Sequence, residues 1–245
     1  MKGLAGKTVL VTGGGGAIGT AICRRFGDAG CRILVADKNE KAAEGTAGQL
    51  KGTALVFDIA DYAKAKAMLE KEKIDILVNN AGWDRFQNFL DTKPDEWEQL
   101  IDINLRGPLN LHHIVAPGMA ARGWGRIVNI ASDAARVGSS GEGVYSACKG
   151  GIVAFSKTLA RELARQGVTV NVVCPGPTDT PILRGFLGEG EGGRKVYDAL
   201  VRAIPMKRVG QPDDIPGIVA FLASDEAAFI TGQVISVSGG LTMAG

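Results

Sequence analysis

Short apolar runs alternate with longer helical stretches along the whole chain, and only a few folds are compatible with this alternation. The seven runs are nearly continuous in apolar residues and end in polar or small residues. They cover 8–12, 32–37, 54–58, 75–80, 126–132, 168–176 and 234–240. The helical stretches cover 18–29, 39–51, 62–73, 95–122, 143–165 and 213–223. Strands that helices bury on both faces have such runs, so the order predicts an α/β fold with one doubly wound parallel sheet.

The length of 245 residues favours one domain over 1–245, because α/β folds of this size are often single units. Such a chain removes enough surface from water to be stable without disulfides or a structural metal. The one sustained break in the pattern is 177–205, which contains the glycine-rich stretch GFLGEGEGGRK. We interpret this break either as a surface loop or as a lid insertion over a substrate.

Composition excludes several classes of function. The net charge is +2 and 22% of residues are charged, without a basic stripe, so we expect no nucleic-acid or membrane partner. The four cysteines form no C-x-x-C pair and the two histidines are adjacent, so no metal site is expected. No apolar run reaches the roughly 18 residues of a membrane span, and the first begins at Thr8, too early for a secretory signal. A cytoplasmic protein with reduced thiols is therefore predicted.

A glycine-rich loop lies directly between the first predicted strand and the first predicted helix, in VTGGGGAIGTAICRRF. Glycines let the backbone come close to a pyrophosphate, and the N-terminus of the following helix offers N–H groups and a positive dipole end. In this context the loop, with Gly13, Gly16, Ile18 and Gly19, indicates a Rossmann fold that binds a dinucleotide.

Acidic residues end the second and third runs. Asp37 lies 18 residues after Gly19, near the offset of about 20 residues for the acid that hydrogen-bonds an adenosine ribose. A carboxylate there accepts from ribose hydroxyls and repels the 2′-phosphate of NADP, so NAD is the predicted cofactor. Lys38 is the one neighbouring cation that could reach such a phosphate. Asp58 would either meet the adenine amino group or cap the next helix.

A tyrosine and a lysine stand four residues apart in VYSACKGGIVAF, a stretch with the spacing of a buried helix. Residues four apart share one helix face, so Tyr145 and Lys149 are predicted neighbours. Ser132 ends the fifth run, at the carboxyl edge where open parallel sheets bind ligands. A hydroxyl, a phenol and an ammonium are therefore candidates for one site.

Four motifs together resemble the short-chain dehydrogenase/reductase family, in order and over nearly the whole chain. They are TGGGGAIG (12–19), NNAG (79–82), YSACK (145–149) and CPGPTDT (174–180). One departure is Ala17, where the family usually has glycine. Its methyl group is tolerable if its φ angle stays negative.

The resemblance implies a catalytic group of Asn104, Ser132, Tyr145 and Lys149. Tyr145 would take the proton of a substrate alcohol while a hydride leaves the same carbon, and Ser132 would hydrogen-bond the reacting oxygen. Lys149 would hold the nicotinamide ribose and lower the pKa of the phenol by about two units from about 10. Asn104 would bend its long helix and hold a water that links Lys149 to solvent.

The same resemblance implies which residues contact the ligands. The cofactor residues would be Gly13, Gly16, Ile18, Gly19, Asp37, Asp58, Ile59, Asn80, Ala81, Gly82, Tyr145, Lys149, Pro175, Gly176, Thr178 and Thr180. The substrate residues would be Trp83, Ser132, Ser139 and Tyr145. Trp83 would wall one side of a ring or merely cover a loop.

A narrower resemblance concerns the family members that oxidise 2-hydroxycyclohexanecarboxyl-CoA. The stretches NNAGWD, NIASDAARVGSSGE, VYSACKGG and ITGQVISVSGGLTMAG carry it. It implies oxidation of a β-hydroxyacyl-CoA thioester such as this ring compound to the ketone. Cations in and beside 177–205 would receive the CoA phosphates or form a solvated surface. These are Arg184, Arg194, Lys195, Arg202, Lys207 and Arg208.

Other functions stay open. A 3-oxoacyl-[acyl-carrier-protein] reductase has the same fold and tetrad but usually uses NADPH, which Asp37 disfavours. From another class, the chain could be a non-catalytic NAD-binding regulator, which an intact Ser132, Tyr145 and Lys149 disfavour. The family resemblance also implies a homotetramer joined through the helices over 95–122 and 143–165.

Overall fold

Seven parallel strands form one sheet in the computed structural model, which describes residues 1–188 and 190–244. The strands are β1 (Thr8–Thr12), β2 (Arg32–Asp37), β3 (Thr53–Val56), β4 (Ile76–Asn79), β5 (Gly125–Ile130), β6 (Val168–Pro175) and β7 (Val234–Val237). Their order across the sheet is β3-β2-β1-β4-β5-β6-β7. The predicted doubly wound parallel sheet is confirmed, and each predicted run overlaps one of these strands.

Helices connect the strands and cover both faces of the sheet. They are α1 (Ala17–Asp28), α2 (Glu40–Leu50), α3 (Tyr62–Leu69), α4 (Pro94–Ile101), α5 (Gly107–Ala121), α6 (Ala134–Val137), α7 (Gly143–Leu163), α8 (Pro181–Leu187), α9 (Gly190–Ala203) and α10 (Pro216–Ala223). None of the helices in the described part of the chain has the length and apolarity that crossing a membrane requires.

The strand side chains point alternately into two buried apolar layers. Val9 and Val11 of β1 pack in one layer with Phe26 of α1 and with α10. Leu10, between them, packs in the other layer with Leu111 of α5. Because helices cover both sheet faces, neither set of alternate residues meets water, and the strands are apolar throughout.

The helix predicted over 95–122 consists of two helices joined by a π-helical turn, Asp102–Arg106. Asn104 lies in this turn, and its Nδ2 donates to Leu100 O at 3.0 Å. A side-chain amide that bonds a backbone carbonyl one turn earlier competes with the helix's own hydrogen bonds. At Asn104, where the sequence predicts a local bend, the structure has a change of helix type.

The stretch 177–205 contains α8 and α9, which the sequence did not predict. Thr180 caps α8, since its Oγ1 accepts from Leu183 N–H at 3.4 Å, and Pro181 is the first helical residue. The glycines of this stretch have low helix propensity, which hides the helices from a reading of composition. Residue 189 of the predicted lid lies outside the described residues.

Candidate active site

The carboxyl ends of β4, β5 and β6 surround one cavity of about 1240 Å³. Its lining includes Ser132, Tyr145 and Lys149, together with Asn80 and Trp83. Pockets for a single small ligand usually measure about 300–1,000 Å³, so this one has room for two ligands side by side. It lies beside the point where the strand order reverses, between β1 and β4, which is where open α/β sheets bind ligands.

The loop between β1 and α1 brings the backbone into a tight turn. Gly13 has a φ of 60°, and Gly14 N–H donates to Ala36 O at 3.0 Å. A Cβ on Gly19 would lie 2.0 Å from Gly13 O, so only glycine lets the helix pass this close to the turn. Ala17 begins α1 without a positive φ, so its methyl group does not disturb the loop.

The N-terminus of α1 fits the phosphates of a dinucleotide. Its N-cap, Gly16, supplies no capping side chain, so the first N–H groups of the helix remain available to an anion. Ile18, in the first turn, is half-buried and lines the cavity. The cavity therefore reaches the first turn of α1, which directly follows the glycine loop.

The acidic residues predicted to meet the adenosine half lie just after or at the ends of β2 and β3. Asp37 Oδ2 accepts from Gly15 N–H at 3.1 Å, and Oδ1 accepts from Asn39 N–H at 3.0 Å. These bonds hold the carboxylate beside the glycine loop, and its oxygens keep lone pairs for ribose hydroxyls. Asp58 is exposed and accepts from Ala60 N–H at 2.9 Å.

The segment after β3 differs in detail from its prediction. Asp61, not Asp58, caps α3, because its Oδ1 accepts from Lys64 N–H at 3.0 Å. The side chain of Ile59 is buried in the apolar layer that contains Leu111. The side chain of Ile59 is therefore not available to a ligand, and its carbonyl oxygen accepts from Asn110 Nδ2 at 3.0 Å.

The residues after β4 are tied to the glycine loop. Asn80 Nδ2 donates to Thr12 O at 3.0 Å and to Gly13 O at 3.1 Å. Thr12 Oγ1 accepts from the N–H groups of Asn80 and Ala81, each at 3.1 Å. This network fixes the loop that carries Gly82 against the end of β1.

Asn104 is fully buried and holds the next part of the same loop. Its Oδ1 accepts from Trp83 N–H at 3.2 Å, and its Nδ2 donates to Trp83 O at 2.7 Å. A Cβ on Gly82 would lie 3.2 Å from Asn104 Oδ1 and 3.3 Å from Lys149 Nζ, so these two polar groups flank Gly82. Asn104 does not line the cavity itself but sets the backbone of Trp83, which does.

Lys149 is buried on α7, with 3% of its surface exposed. Its Nζ donates to Ile130 O at 3.0 Å and lies 5.6 Å from the centroid of the Tyr145 ring. Burial lowers the pKa of Lys149 to about 8, and nearby thiols and Asp84 oppose that effect. The ammonium is therefore still mainly protonated at pH 7.

The pKa of Tyr145 is raised, whereas the sequence analysis expected Lys149 to lower it. Burial is the largest cause, followed by the charges of Asp84 and Glu142, while hydrogen bonding with Ser132 lowers this pKa in part. Lys149 directs its Nζ at a backbone carbonyl rather than at the phenol oxygen. The expectation that Lys149 makes Tyr145 an easily ionised phenol is wrong for the protein chain taken alone.

Asp84 and Glu142, which the sequence analysis passed over, both line the cavity near Tyr145. Burial, followed by a hydrogen bond with Glu142, raises the pKa of Asp84 to about 7. Two carboxyl groups in contact resist holding two negative charges, so Asp84 is partly protonated near neutral pH. The available signal was an acid three residues before Tyr145 and another directly after Trp83.

The loop after β6 supplies the opposite side of the cavity. Pro175 ends the strand, and Gly176, Thr178 and Thr180 follow it along the cavity wall. Thr178 Oγ1 donates to Gly176 O at 2.9 Å, which stabilises the turn. Ser139 is exposed at the cavity rim, on the side of Tyr145.

Two aromatic rings meet at the mouth of the cavity. Phe86, in the loop after β4, and Phe186, on α8, have ring centroids 3.7 Å apart. Both side chains line the cavity and both are partly exposed. Helix α8 therefore contacts the opposite rim of the cavity, while the function of 177–205 as a lid stays a prediction.

Comparison with known proteins decides the family. Residues 15–242 match the profile of a family described as enoyl-(acyl carrier protein) reductase. The chain is 37% identical over 245 residues to the 3-oxoacyl-[acyl-carrier-protein] reductase FabG of Escherichia coli, covering 97% of this chain and 98% of that protein. It is 39% identical over 240 residues to acetoacetyl-CoA reductase of Shinella zoogloeoides, covering 96% and 98%. A 3-oxoacyl-[acyl-carrier protein] reductase from Brucella melitensis, solved with bound NAD, matches with a TM-score of 0.89 and 32% identity, covering 98% and 92%.

The chain belongs to the short-chain dehydrogenase/reductase family. The resemblance on which the sequence analysis relied is thereby confirmed, together with the Rossmann fold. As a short-chain dehydrogenase/reductase, the protein is an oxidoreductase of a family that uses nicotinamide cofactors. The alternative of a non-catalytic regulator is wrong.

Some of the cations expected to receive CoA phosphates are already paired with carboxylates in this short-chain dehydrogenase/reductase. Arg184 Nε lies 2.7 Å from Asp179 Oδ1, and Lys195 Nζ lies 2.8 Å from Glu191 Oε1. Arg208, just beyond the lid, makes two hydrogen bonds to the carboxylate of Asp214, at 2.6 and 2.8 Å. These pairs reduce the positive charge that the lid offers to a phosphate, and they weaken the proposed phosphate role.

Proposed function

We propose that this short-chain dehydrogenase/reductase interconverts a 3-hydroxyacyl thioester and the 3-oxoacyl thioester with NAD as its cofactor. The observation that carries the proposal is the meeting of Ser132, Tyr145 and Lys149 in one cavity that extends to Ile18, in the first turn of α1. A hydroxyl, a phenol and a buried ammonium are the groups that proton transfer at a carbonyl oxygen requires. When bound, the nicotinamide would supply the hydride acceptor or donor.

Each protein group has a distinct role in the proposed reaction. Tyr145 takes the alcohol proton in oxidation and returns it to the carbonyl oxygen in reduction. Ser132 donates a hydrogen bond to that oxygen and holds it beside the phenol. Lys149 keeps a positive charge near the phenol and the reacting oxygen. Asn104 holds the Trp83 loop, and the water-binding role of Asn104 stays a prediction. The high intrinsic pKa of Tyr145 means that the phenol is protonated at neutral pH, which suits reduction of a ketone.

The carboxylate of Asp37 supports NAD over NADP. It is fixed by two backbone N–H groups at the glycine loop, so it cannot easily turn away from a ribose 2′-phosphate. Lys38, the one cation beside it in the chain, is exposed and has no ion pair in the described residues. The Brucella melitensis reductase, whose structure contains NAD, shows that a similar protein accepts this cofactor.

The acyl thioester follows from the similar proteins and from the cavity. Relatives along nearly the whole chain are named for reduction of 3-oxoacyl carrier-protein or acetoacetyl-CoA thioesters. These names favour the reductase alternative of the sequence analysis over the ring thioester. Trp83 still favours 2-hydroxycyclohexanecarboxyl-CoA as a second candidate, because its half-buried side chain lines the cavity and offers a flat wall to a ring.

A substrate panel tests the proposal directly. The purified protein is mixed with NADH or NADPH and acetoacetyl-CoA, a 3-oxoacyl carrier-protein or the ketone of the ring thioester, and nicotinamide absorbance is followed. We expect NADH oxidation with at least one thioester and none with the free oxo acids, in which the thioester carrier is missing. Turnover of free acids as fast as of thioesters, or of no 3-oxo compound, would refute the proposal. Preference for the ring ketone would select the second candidate.

Replacing Asp84 by asparagine tests the electrostatic role of the carboxyl pair. Above pH 7 Asp84 is ionised, and its negative charge raises the pKa of Tyr145. Removal of that charge should shift the rising limb of the pH profile of kcat/KM for alcohol oxidation downward by about 0.5 to 1 pH unit. Asp91→Asn, in the same loop, is the control and should leave the limb in place. An unchanged or upward-shifted limb in Asp84→Asn would contradict this role.

The assembly and location of the protein are also proposals. An apolar groove of about 640 Å³ lies between α5 and α7 and is lined by His112, Phe155, Leu159 and Leu163. Such a surface suits the homotetramer that the family resemblance implies. The single-domain organisation and the cytoplasmic location remain predictions.

A further inference from the structure

The last residues of the chain form part of the cavity wall. Leu241 and Thr242 line the same cavity as Ser132 and Tyr145. The N–H of Leu241 donates to Ser238 O at 3.2 Å, and the N–H of Thr242 donates to Ser238 Oγ at 3.2 Å. We call 241–244 the C-terminal segment. Because Leu241 and Thr242 line the cavity that contains Ser132 and Tyr145, the segment is placed where a bound acyl group can contact it.

Arg136, on α6, joins this segment to the end of β7. Its Nη1 donates to Ser236 Oγ at 2.9 Å, and its Nη2 donates to Ala244 O. A guanidinium presents its donors in a fixed fork, so the two contacts set the position of the segment relative to the strand. Arg136 is half-buried, which limits competition from water.

Asp133 completes the connection to the proposed catalytic serine. It directly follows Ser132, has 6% of its surface exposed, and donates its N–H to Pro175 O at 3.0 Å. Its Oδ1 accepts from Ser236 Oγ. Ser236 has one hydroxyl proton and Arg136 can only donate, so Ser236 must accept from Arg136 and give its proton to Asp133.

The hydroxyl of Ser236 therefore bridges a cation and an anion that do not touch each other in the contacts described. The bridge links the Ser132 loop and α6 to strand β7 and the C-terminal segment through bonds between residues 100 to 108 positions apart along the chain. Asp133 Oδ2 is buried without a hydrogen-bond partner among the described residues, so the carboxylate depends on this one bond. Loss of Arg136 would leave the segment held by the hydrogen bonds of Leu241 and Thr242 to Ser238, so its end would be more mobile against the wall.

We propose that Arg136, Ser236 and Asp133 are positioning residues that hold the C-terminal segment as the acyl-selecting wall of the cavity. The inference rests on the proposed function, since it assigns the wall to the acyl part of a thioester substrate. The network contacts neither the glycine loop nor Asp37 in the described residues. It should therefore act on substrate binding and leave the binding of NADH unchanged.

Kinetics of four variants and one control variant test the assignment with the thioester that the wild-type protein turns over best. Arg136→Leu, Ser236→Ala and a chain ending at Gly240 should each raise the KM for the thioester about tenfold, as loss of one charge-assisted hydrogen bond would, with kcat changed less than about twofold. Arg136→Lys, which keeps the charge, should fall between wild type and Arg136→Leu. Arg32→Leu breaks a comparable two-pronged contact to Glu72 at the start of β2 and should leave the KM unchanged.

Two further readouts separate a positioning role from general loosening. The dissociation constant for NADH, from nicotinamide fluorescence, should match wild type, and hydrogen exchange in Arg136→Leu should accelerate in the C-terminal peptide but not in α1. An unchanged KM, or a parallel rise of the NADH constant, would overturn the inference. If the wild type turns over no thioester, the proposed function fails. In that case the positioning role is still tested by hydrogen exchange, and an unchanged exchange rate of the C-terminal peptide in Arg136→Leu would overturn it.

Discussion

Tyr145→Phe should lower kcat for both directions of the reaction by about 10³- to 10⁴-fold, the upper part of the range for a lost general acid or base. The substitution removes one oxygen atom from a ring that α7 holds beside Ser132, so the cavity keeps its shape. Binding of NADH should stay within about twofold of wild type, because the phenol oxygen is proposed to act on the substrate. Steady-state absorbance measures the first quantity, and nicotinamide fluorescence measures the second.

Tyr62→Phe is the matched control for that variant. This substitution also removes a hydroxyl that hydrogen-bonds a neighbour, because Tyr62 Oη lies 2.8 Å from His113 Nδ1. Tyr62, however, is exposed and does not line the active-site cavity. Its kcat should equal that of wild type. If Tyr145→Phe kept more than a tenth of the wild-type kcat, another group would have to move the proton.

Asp37→Ser should reverse or abolish the preference for NAD, lowering the ratio of kcat/KM for NADH to that for NADPH by about 30- to 1,000-fold. Two like charges about 4 Å apart at a partly exposed protein site repel by about 2 to 4 kcal/mol, and the serine removes that repulsion from the 2′-phosphate. The serine also loses the ionised acceptor for ribose hydroxyls. Initial rates with both reduced cofactors, at fixed thioester, give the ratio.

A second substitution separates this effect from a general change in charge. Asp28→Ser removes an exposed carboxylate at the far end of α1 and should leave the cofactor ratio within about twofold of wild type. Equal ratios in Asp37→Ser and wild type would mean that another residue discriminates against the 2′-phosphate. The NAD assignment would then lose its physical basis.

The sheet could be predicted because its signal is local in the sequence. Each strand is buried on both faces, so runs such as TVLVT are apolar at every position and stand out from the helices. The glycine loop could be predicted for a similar reason. Gly19 must pass within contact distance of Gly13 O, six residues away, and no other residue type fits there.

Features that depend on distant partners could not be predicted in this way. The pKa of Tyr145 is raised first by burial and then by the charge of Asp84. Both depend on residues that meet only after β4 and β5 are paired, so the four-residue spacing to Lys149 gave the wrong sign. Phe86 and Phe186 are one hundred residues apart and meet only once the lid has folded. The Arg136 to Ser236 bond likewise has no trace in either local stretch.

The reversal of strand order between β1 and β4 separates the residues proposed to bind the cofactor from those proposed to bind the substrate along the chain. The residues proposed for the adenosine half of the cofactor all precede residue 60, whereas the lid and the C-terminal segment follow residue 176. Insertions or exchanges in the later part can therefore alter which acyl group is accepted while the dinucleotide half stays as it is. In a fold arranged in this manner, changes in the later part of the chain can alter the substrate without altering the residues proposed to bind the cofactor.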